Sequence, residues 1–307
     1  MRRVRPTAWV LLTATLATAA IAQVKFTRKY LPGKERVTST LKMTQVFTKE
    51  GTEYPTSGET TTVTTCLIFP PEGDGKFRIE HTTESHKVRG SFAPGVTLEF
   101  DSTKPEATKI SDPGLQPLID LYKAVSGITY TMVYDGDGHV IAVEGLEEAI
   151  ARAGSAKDLL RGQLNRERVL SEVNKPLSLL PTEPVKPGAR WQREDTIPTT
   201  GAQSLPITAE YEYEGTVEKA GKTLDKIGIR FTNVKPPVNE EGRPKVLRSN
   251  LKVESSSGTA LVDRTVGIIT ESSSTVRVVG TLTLSENEKE VPAKVDLTVE
   301  QSLVVTR

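Results

Sequence analysis

Apolar and polar side chains take turns along most of this chain after residue 23, a period of two that places successive side chains on opposite faces of an extended strand. Val37, Leu41, Met43 and Phe47 share one parity, against Thr38, Thr40, Lys42, Thr44 and Thr48 on the other. Val63, Leu67 and Phe69 repeat the pattern, as do Phe77 and Ile79. Tyr211, Tyr213 and Val217 alternate with glutamates, and Ile227, Ile229 and Phe231 continue the series. Near the C-terminus Val295, Leu297, Val299, Leu303 and Val305 oppose Lys294, Asp296, Thr298, Glu300 and Ser302, so each sheet is expected to have one buried and one solvated face.

Turn residues separate these runs at Glu50-Gly51, Asp74-Gly75, Asp135 to Gly138, Ala220-Gly221 and Ser257-Gly258, which predicts antiparallel hairpins. Several runs exceed the usual strand length of about six residues, which favours long, curved strands. The middle of the chain reads differently. Residues 115–125 and 145–175 carry helical spacing and strong helix formers, with Leu146, Ile150 and Ala153 on one face. Ser155 is read as the cap of a second helix striped by Leu160, Leu164, Val169 and Val173 and ended by Lys175-Pro176. The expected fold is therefore mainly β: long antiparallel curved sheets, either open and barrel-like or as two tandem β modules, with a central helical segment. The expected divisions are a signal peptide at 1–22, a first β-rich half at 23–144, a helical segment and Pro-rich crossover at 145–187, and a second β-rich half at 188–307.

The N-terminus has a cationic start (Arg2, Arg3, Arg5), an apolar run from Trp9 to Ile21 and an Ala20-Ile21-Ala22 cleavage signal, so export with Gln23 as the mature N-terminus is expected. The apolar run is short of the roughly 20 residues that a spanning helix needs, and no later segment reaches that length without charge. No Cys follows the run, which argues against a lipid anchor, and the arginine pair lacks the neighbours of a twin-arginine signal. Without residues 1–22 the chain carries 37 basic and 39 acidic side chains, a balance with no electrostatic reason to bind nucleic acid. Cys66 is the single cysteine, so packing rather than an internal disulfide must hold the fold.

Motifs that carry chemistry are sparse. His81 and His86, five apart in a strand run, are expected on opposite faces and so do not hold a metal jointly. The Asp-Gly-Asp-Gly-His string at 135–139 has the start of a calcium loop but is flanked by strand patterns, so a tight turn is expected. Ser39 to Lys42 and Ser249 to Lys252 match S-x-x-K in strand contexts, without the partner strings that make that motif catalytic. Cys66 reads as a small strand residue, and Trp191 as a seal beneath the Pro187-Gly188 entry to the second half. No catalytic residue, metal ligand or cofactor is assigned.

LPGKERVTSTLKMTQ near the mature start, DGDGHVIAVEGLEEAI, LPTEPVKPGARW and the late GTALVDRTVGIITESS together resemble an uncharacterised family of exported bacterial proteins. That resemblance implies an extracytoplasmic, β-rich protein and carries over no active-site residue. Long curved strands around an apolar helical segment are also similar, in architecture alone, to the unclosed β-barrel of periplasmic lipoprotein and lipid carriers. The leading expectation is a non-catalytic binding protein whose concave sheet face holds a lipid or other apolar ligand, with Leu41, Met43, Phe69, Phe77, Ile229 and Phe231 as candidate lining residues. The alternative is a structural or envelope-interaction protein that docks a protein or polysaccharide partner.

Overall fold

The computed structural model describes residues 23–307 except 28, 74, 137, 152, 164–169, 171–179, 182, 198, 200–204, 237–244 and 287–288. The expected export signal, Leu164, Val169, Val173 and Lys175-Pro176 of the second expected helix, and Asp74 and Asp137 of two expected turns lie outside the described residues. The elements run β1 (Gly33–Lys49), β2 (Thr52–Ile68), β3 (Phe77–Ala93), β4 (Val96–Asp101), β5 (Lys109–Ile110), α1 (Gln116–Val125), β6 (Thr129–Tyr134) and β7 (Val140–Glu144). They continue with α2 (Leu146–Ala151), α3 (Lys157–Gln163), β8 (Arg190–Ile197), β9 (Leu205–Lys219), β10 (Lys222–Val234), β11 (Lys245–Asp263), β12 (Ile268–Glu286) and β13 (Lys289–Thr306).

All of these strands belong to one antiparallel, unclosed 13-stranded sheet in the order β5-β4-β3-β2-β1-β13-β12-β11-β10-β9-β8, with β6 on the first part of β3 and β7 beyond it. The last strand lies against the first: β13 pairs with β1 from Arg36–Thr306 to Lys49–Ala293, which splices the two halves into a continuous sheet. Glu50 and Gly51 both have positive φ (51° and 78°), as do Ala220 and Gly221 (49° and 74°), so both hairpins close on two-residue turns whose twist matches the strands. Ser257-Gly258, expected as a turn, instead lies inside the 19-residue β11. Gly258 serves close approach there, since a Cβ on it would lie 2.8 Å from Ser274 Cβ on β12.

Register defines an inner and an outer face. On the inner face of the second half, Ile207, Ala209, Ile227, Ala260, Val278 and Leu297 have no exposed surface. Among the described residues, Val24, Phe26, Leu180 and Val185 reach this cluster from outside the main sheet; Val24 and Val185 bridge each other, and Phe26 meets Tyr213 edge-on. Such complete burial on a single sheet requires that it curl over its own face. In the first half the helices provide the second layer: Ile119 of α1 packs on Val88, Leu98 and Phe100, and Leu121, Leu146, Ile150 and Leu160 join Ile68, Ile79 and Met132. α1 follows a turn in which Asp112 Oδ1 accepts from Gly114 N, and it ends at Ser126, ahead of Gly127 in the left-handed region (φ 79°).

The sequence parity of β2 points the wrong way. Even-numbered residues of β2 pair with the inward residues of β1 (Met43 with Gly58, Leu41 with Thr60), so Val63, Leu67 and Phe69 carry outward parity. Leu67 and Phe69 are 37% and 38% exposed, whereas Val63 on the same parity is buried. Nor do His81 and His86 lie on opposite faces. A β-bulge between Val63 and Thr64 adds a residue to β3, so His81 opposite Cys66 and His86 opposite Thr62 both face inward.

Candidate functional site

Between the two packed clusters, the inner face of β1, β2 and the end of β3 is left partly open. β1 presents Val37, Ser39, Leu41, Met43, Gln45 and Phe47 there, and β2 answers with Thr64, Thr62, Thr60, Gly58, Thr56 and Tyr54 in register. None of these side chains is charged, whereas the outward face of the same strands holds Lys42, Glu59 and Arg36. Met43, Leu41 and Phe47 are half-buried against the second-half cluster, while Tyr54 is 44% exposed. Phe92 is 37% exposed and its ring reaches 3.6 Å from the position of a Cβ on Gly90, which faces Gly58 across the β2–β3 ladder. Apolar and aromatic surface thus borders a glycine floor and a row of threonine hydroxyls.

The six residues expected to line a ligand site are distributed as follows. Leu41, Met43, Ile229 and Phe231 face the same second-half cluster, with Phe231 fully within it and the other three half-buried. Phe77 is buried in the first-half cluster, 4.9 Å from Tyr134 in a stacked pair and 3.7 Å from Tyr30. Phe69 stands on the outward parity and does not meet the others. Trp191 is half-buried and stacked on Tyr211 at 5.8 Å, against the same cluster as Leu41. Tyr54, Phe92, Gly58 and Gln45 escape a reading by hydrophobic alternation: Tyr54 and Phe92 sit at strand ends, and glycine and glutamine carry no apolar signal.

Polar groups gather at three places on or beside this face. His86 Nδ1 lies 3.0 Å from Thr62 Oγ1, its backbone N–H donates to Ser102 Oγ, and burial under Tyr122 holds its pKa below the ordinary 6.5, so the imidazole is neutral near pH 7. Further along, Cys66 Sγ is 3.4 Å from His81 Nδ1, and His81 stacks on Tyr130, whose phenol is raised to about 12 by burial and by Cys66. Cys66 is 7% exposed, so this thiol–imidazole pair is enclosed rather than presented to a substrate. In the second half, Asp225, 1% exposed, accepts from Tyr213 Oη at 2.7 Å and from Arg264 Nε at 2.8 Å, with a further contact to Arg264 Nη2. Tyr213 is raised to about 12, first by burial and then by its bond to Asp225. Among the described residues, no group of three or more His, Cys, Asp or Glu is placed to hold a metal ion, and no helix is long and apolar enough to cross a membrane.

Residues 74–222, from the β2–β3 loop to the first residue of β10, match the model of a family of unknown function (DUF6263). No curated protein matches the chain. Among solved structures, a lipovitellin is similar at a TM-score of 0.41 and 10% identity, over 91% of this chain and 26% of that one. DynF from the dynemicin pathway of Micromonospora chersina gives a TM-score of 0.19 and 8% identity over 92% and 85% of the two chains. The translocator domain of the autotransporter NalP from Neisseria meningitidis gives 0.17 and 9% over 88% of each.

Proposed function

We propose that this chain is an exported, non-catalytic binding protein that carries the apolar part of an amphiphilic ligand in the cleft between its two packed clusters. The observation that supports this is the open inner face: Met43, Phe47, Tyr54 and Phe92 keep accessible apolar surface beside a core that is otherwise sealed. Patches of this kind on soluble proteins are commonly places of contact. Leu41 and Met43 line the cleft, and Ile229 and Phe231 back it from the same cluster.

Native mass spectrometry of protein taken from its own compartment tests both parts of the proposal. The expected mass is that of a chain starting at Gln23 with a lipid-sized species attached, and Met43→Arg, which places an unpaired charge in the cleft, is expected to arrive empty. A chain with no adduct that also ignores lipid extracts overturns the carrier reading.

A second reading has its own observation. On the outward face an open groove of ≈ 540 Å³ is lined by Ser57, Glu59, Arg89, Ser91, Thr97 and Glu99, hydroxyls and paired charges suited to a polar polymer. Recovery of a stoichiometric polysaccharide or protein instead of a lipid, lost on changing Glu59 and Arg89 to Gln, favours docking through that face.

A further inference from the structure

Gly58 lies in the interior of the 17-residue β2, where glycine weakens a strand, and needs a reason to be there. The usual reasons fail: its φ is not positive, and a Cβ built on it meets none of the described atoms within 4 Å. Gly280, in β12, is the contrast, with φ 149° and a Cβ that would fall 2.1 Å from Asn250 O. Gly58 therefore keeps space free rather than relieving strain. That space is on the inner face, between Met43 and Gly90.

One β1 position along, Gln45 faces the same side, opposite Thr56. Among the described residues its Oε1 is buried without a hydrogen-bond partner, a state that costs stability in a native protein unless something supplies a donor. Gln45 as a whole stays half-exposed, and its terminal torsion is of the soft sp³–sp² kind, so a small rotation turns the oxygen toward the space over Gly58. The inward positions of β1 from Val37 to Phe47 and of β2 from Tyr54 to Thr64 include no charged side chain, and the cation at the next inward position of β1, Lys49, is already paired with Glu286 rather than open to a carboxylate or phosphate.

We infer that the ligand is a neutral amphiphile, an apolar chain ending in a hydroxyl or amide whose N–H or O–H is accepted by Gln45 Oε1, with the chain lying over Gly58. This rests on the carrier reading and narrows it to one ligand class. The test uses two probes with the same number of heavy atoms, dodecan-1-ol and 1-methoxyundecane, of which the alcohol alone carries a donor, titrated calorimetrically into the mature protein and its variants. The expected result is that the alcohol binds about tenfold tighter than the ether, the worth of one hydrogen bond. Gln45→Leu is expected to erase that ratio while leaving the ether's affinity unchanged. Gly58→Val is expected to abolish binding of both probes without lowering the melting temperature, and to raise it by about 2 °C if strand propensity alone acts. Equal affinity of the two probes for the wild-type chain overturns the assignment of Gln45 and leaves the carrier reading standing. Failure of both probes to bind, together with empty protein in native spectra, overturns both.

Discussion

Replacing Arg264 with Met leaves the Asp225 carboxylate, 1% exposed, with Tyr213 Oη as its remaining partner at 2.7 Å. Removing one member of a buried ion pair costs about 3 to 5 kcal/mol, because the other charge stays desolvated. Here the Arg264 side chain is 47% exposed, so water enters where the guanidinium stood and the cost falls to about 2 to 3 kcal/mol. For a chain of this size that corresponds to a melting temperature lower by about 5 °C, and to a shift of the urea midpoint without a change in its slope. Tyr213→Phe, which removes a neutral donor to a charged acceptor, is expected to cost about 2 kcal/mol. The decisive variant is the double replacement Asp225→Leu with Arg264→Met. If burial without compensation is the cause, taking away both charges restores most of the stability that the single Arg264 change loses. A single variant within about 0.5 kcal/mol of the wild type, or a double variant as unstable as the sum of its parts, refutes the reasoning.

Two further outcomes follow from particular residues. Burial depresses His86 below 6.5, so the unfolded chain binds its proton more readily; its stabilising contribution is full above pH 6.5 and is lost as pH falls toward the lower folded value. Urea midpoints at pH 7.5 and 5.5 are expected to differ more for the wild type than for His86→Gln, and an equal difference counts against burial as the cause. Gly280→Ala is expected to cost about 3 kcal/mol or more, because the added Cβ meets the Asn250 carbonyl and φ is 149°, whereas Gly58→Ala is expected to be neutral or stabilising in the same thermal melts.

The strands with a strong contrast between their faces were readable from the amino-acid order. In β13, Val295, Leu297 and Val299 alternate with Asp296, Thr298 and Glu300, and the first set is buried. The two-residue turns at Glu50-Gly51 and Ala220-Gly221 declared themselves through glycine's access to positive φ. β2 misled because threonine occupies both of its faces at 60–62 and 64–65, so that Val63, Leu67 and Phe69 outweighed Cys66 and Ile68, the buried pair on the parity that the helices cover. The bulge opposite Val63 and Thr64 left no local mark, and with it went the correct facing of His81 and His86. At the cleft, Leu41 and Met43 were legible as apolar positions of β1, but nothing short of register pairs Gly58 with both Met43 and Gly90. Asp225 and Arg264 are 39 residues apart, one in β10 and the other on the turn between β11 and β12, and a lone sequence does not join them.

The placement of the cleft follows from where the sheet is regular and where it is not. The ladders joining β2 to β1, β1 to β13 and β13 to β12 run without a register shift, so these four strands form an unbroken hydrogen-bonded strip. Shifts begin one strand outward on each side, between β2 and β3 at Val63/Thr64 and between β11 and β12 at three points, and recur between β9 and β10. Each bulge bends its strand and adds local twist. A regular strip flanked by bulged ladders gives a stiff floor with walls that rise on both sides: the helix-covered wall of β3 and β4, and the self-covered wall of β9 to β11. Leu41, Met43 and Gln45 on β1, and Thr60 and Gly58 on β2, lie on that floor. Because β13 is the strand that completes the strip, the cleft exists only when β1 and β13 have paired, and on the proposed function a ligand bound at the floor favours that long-range pairing over either half alone.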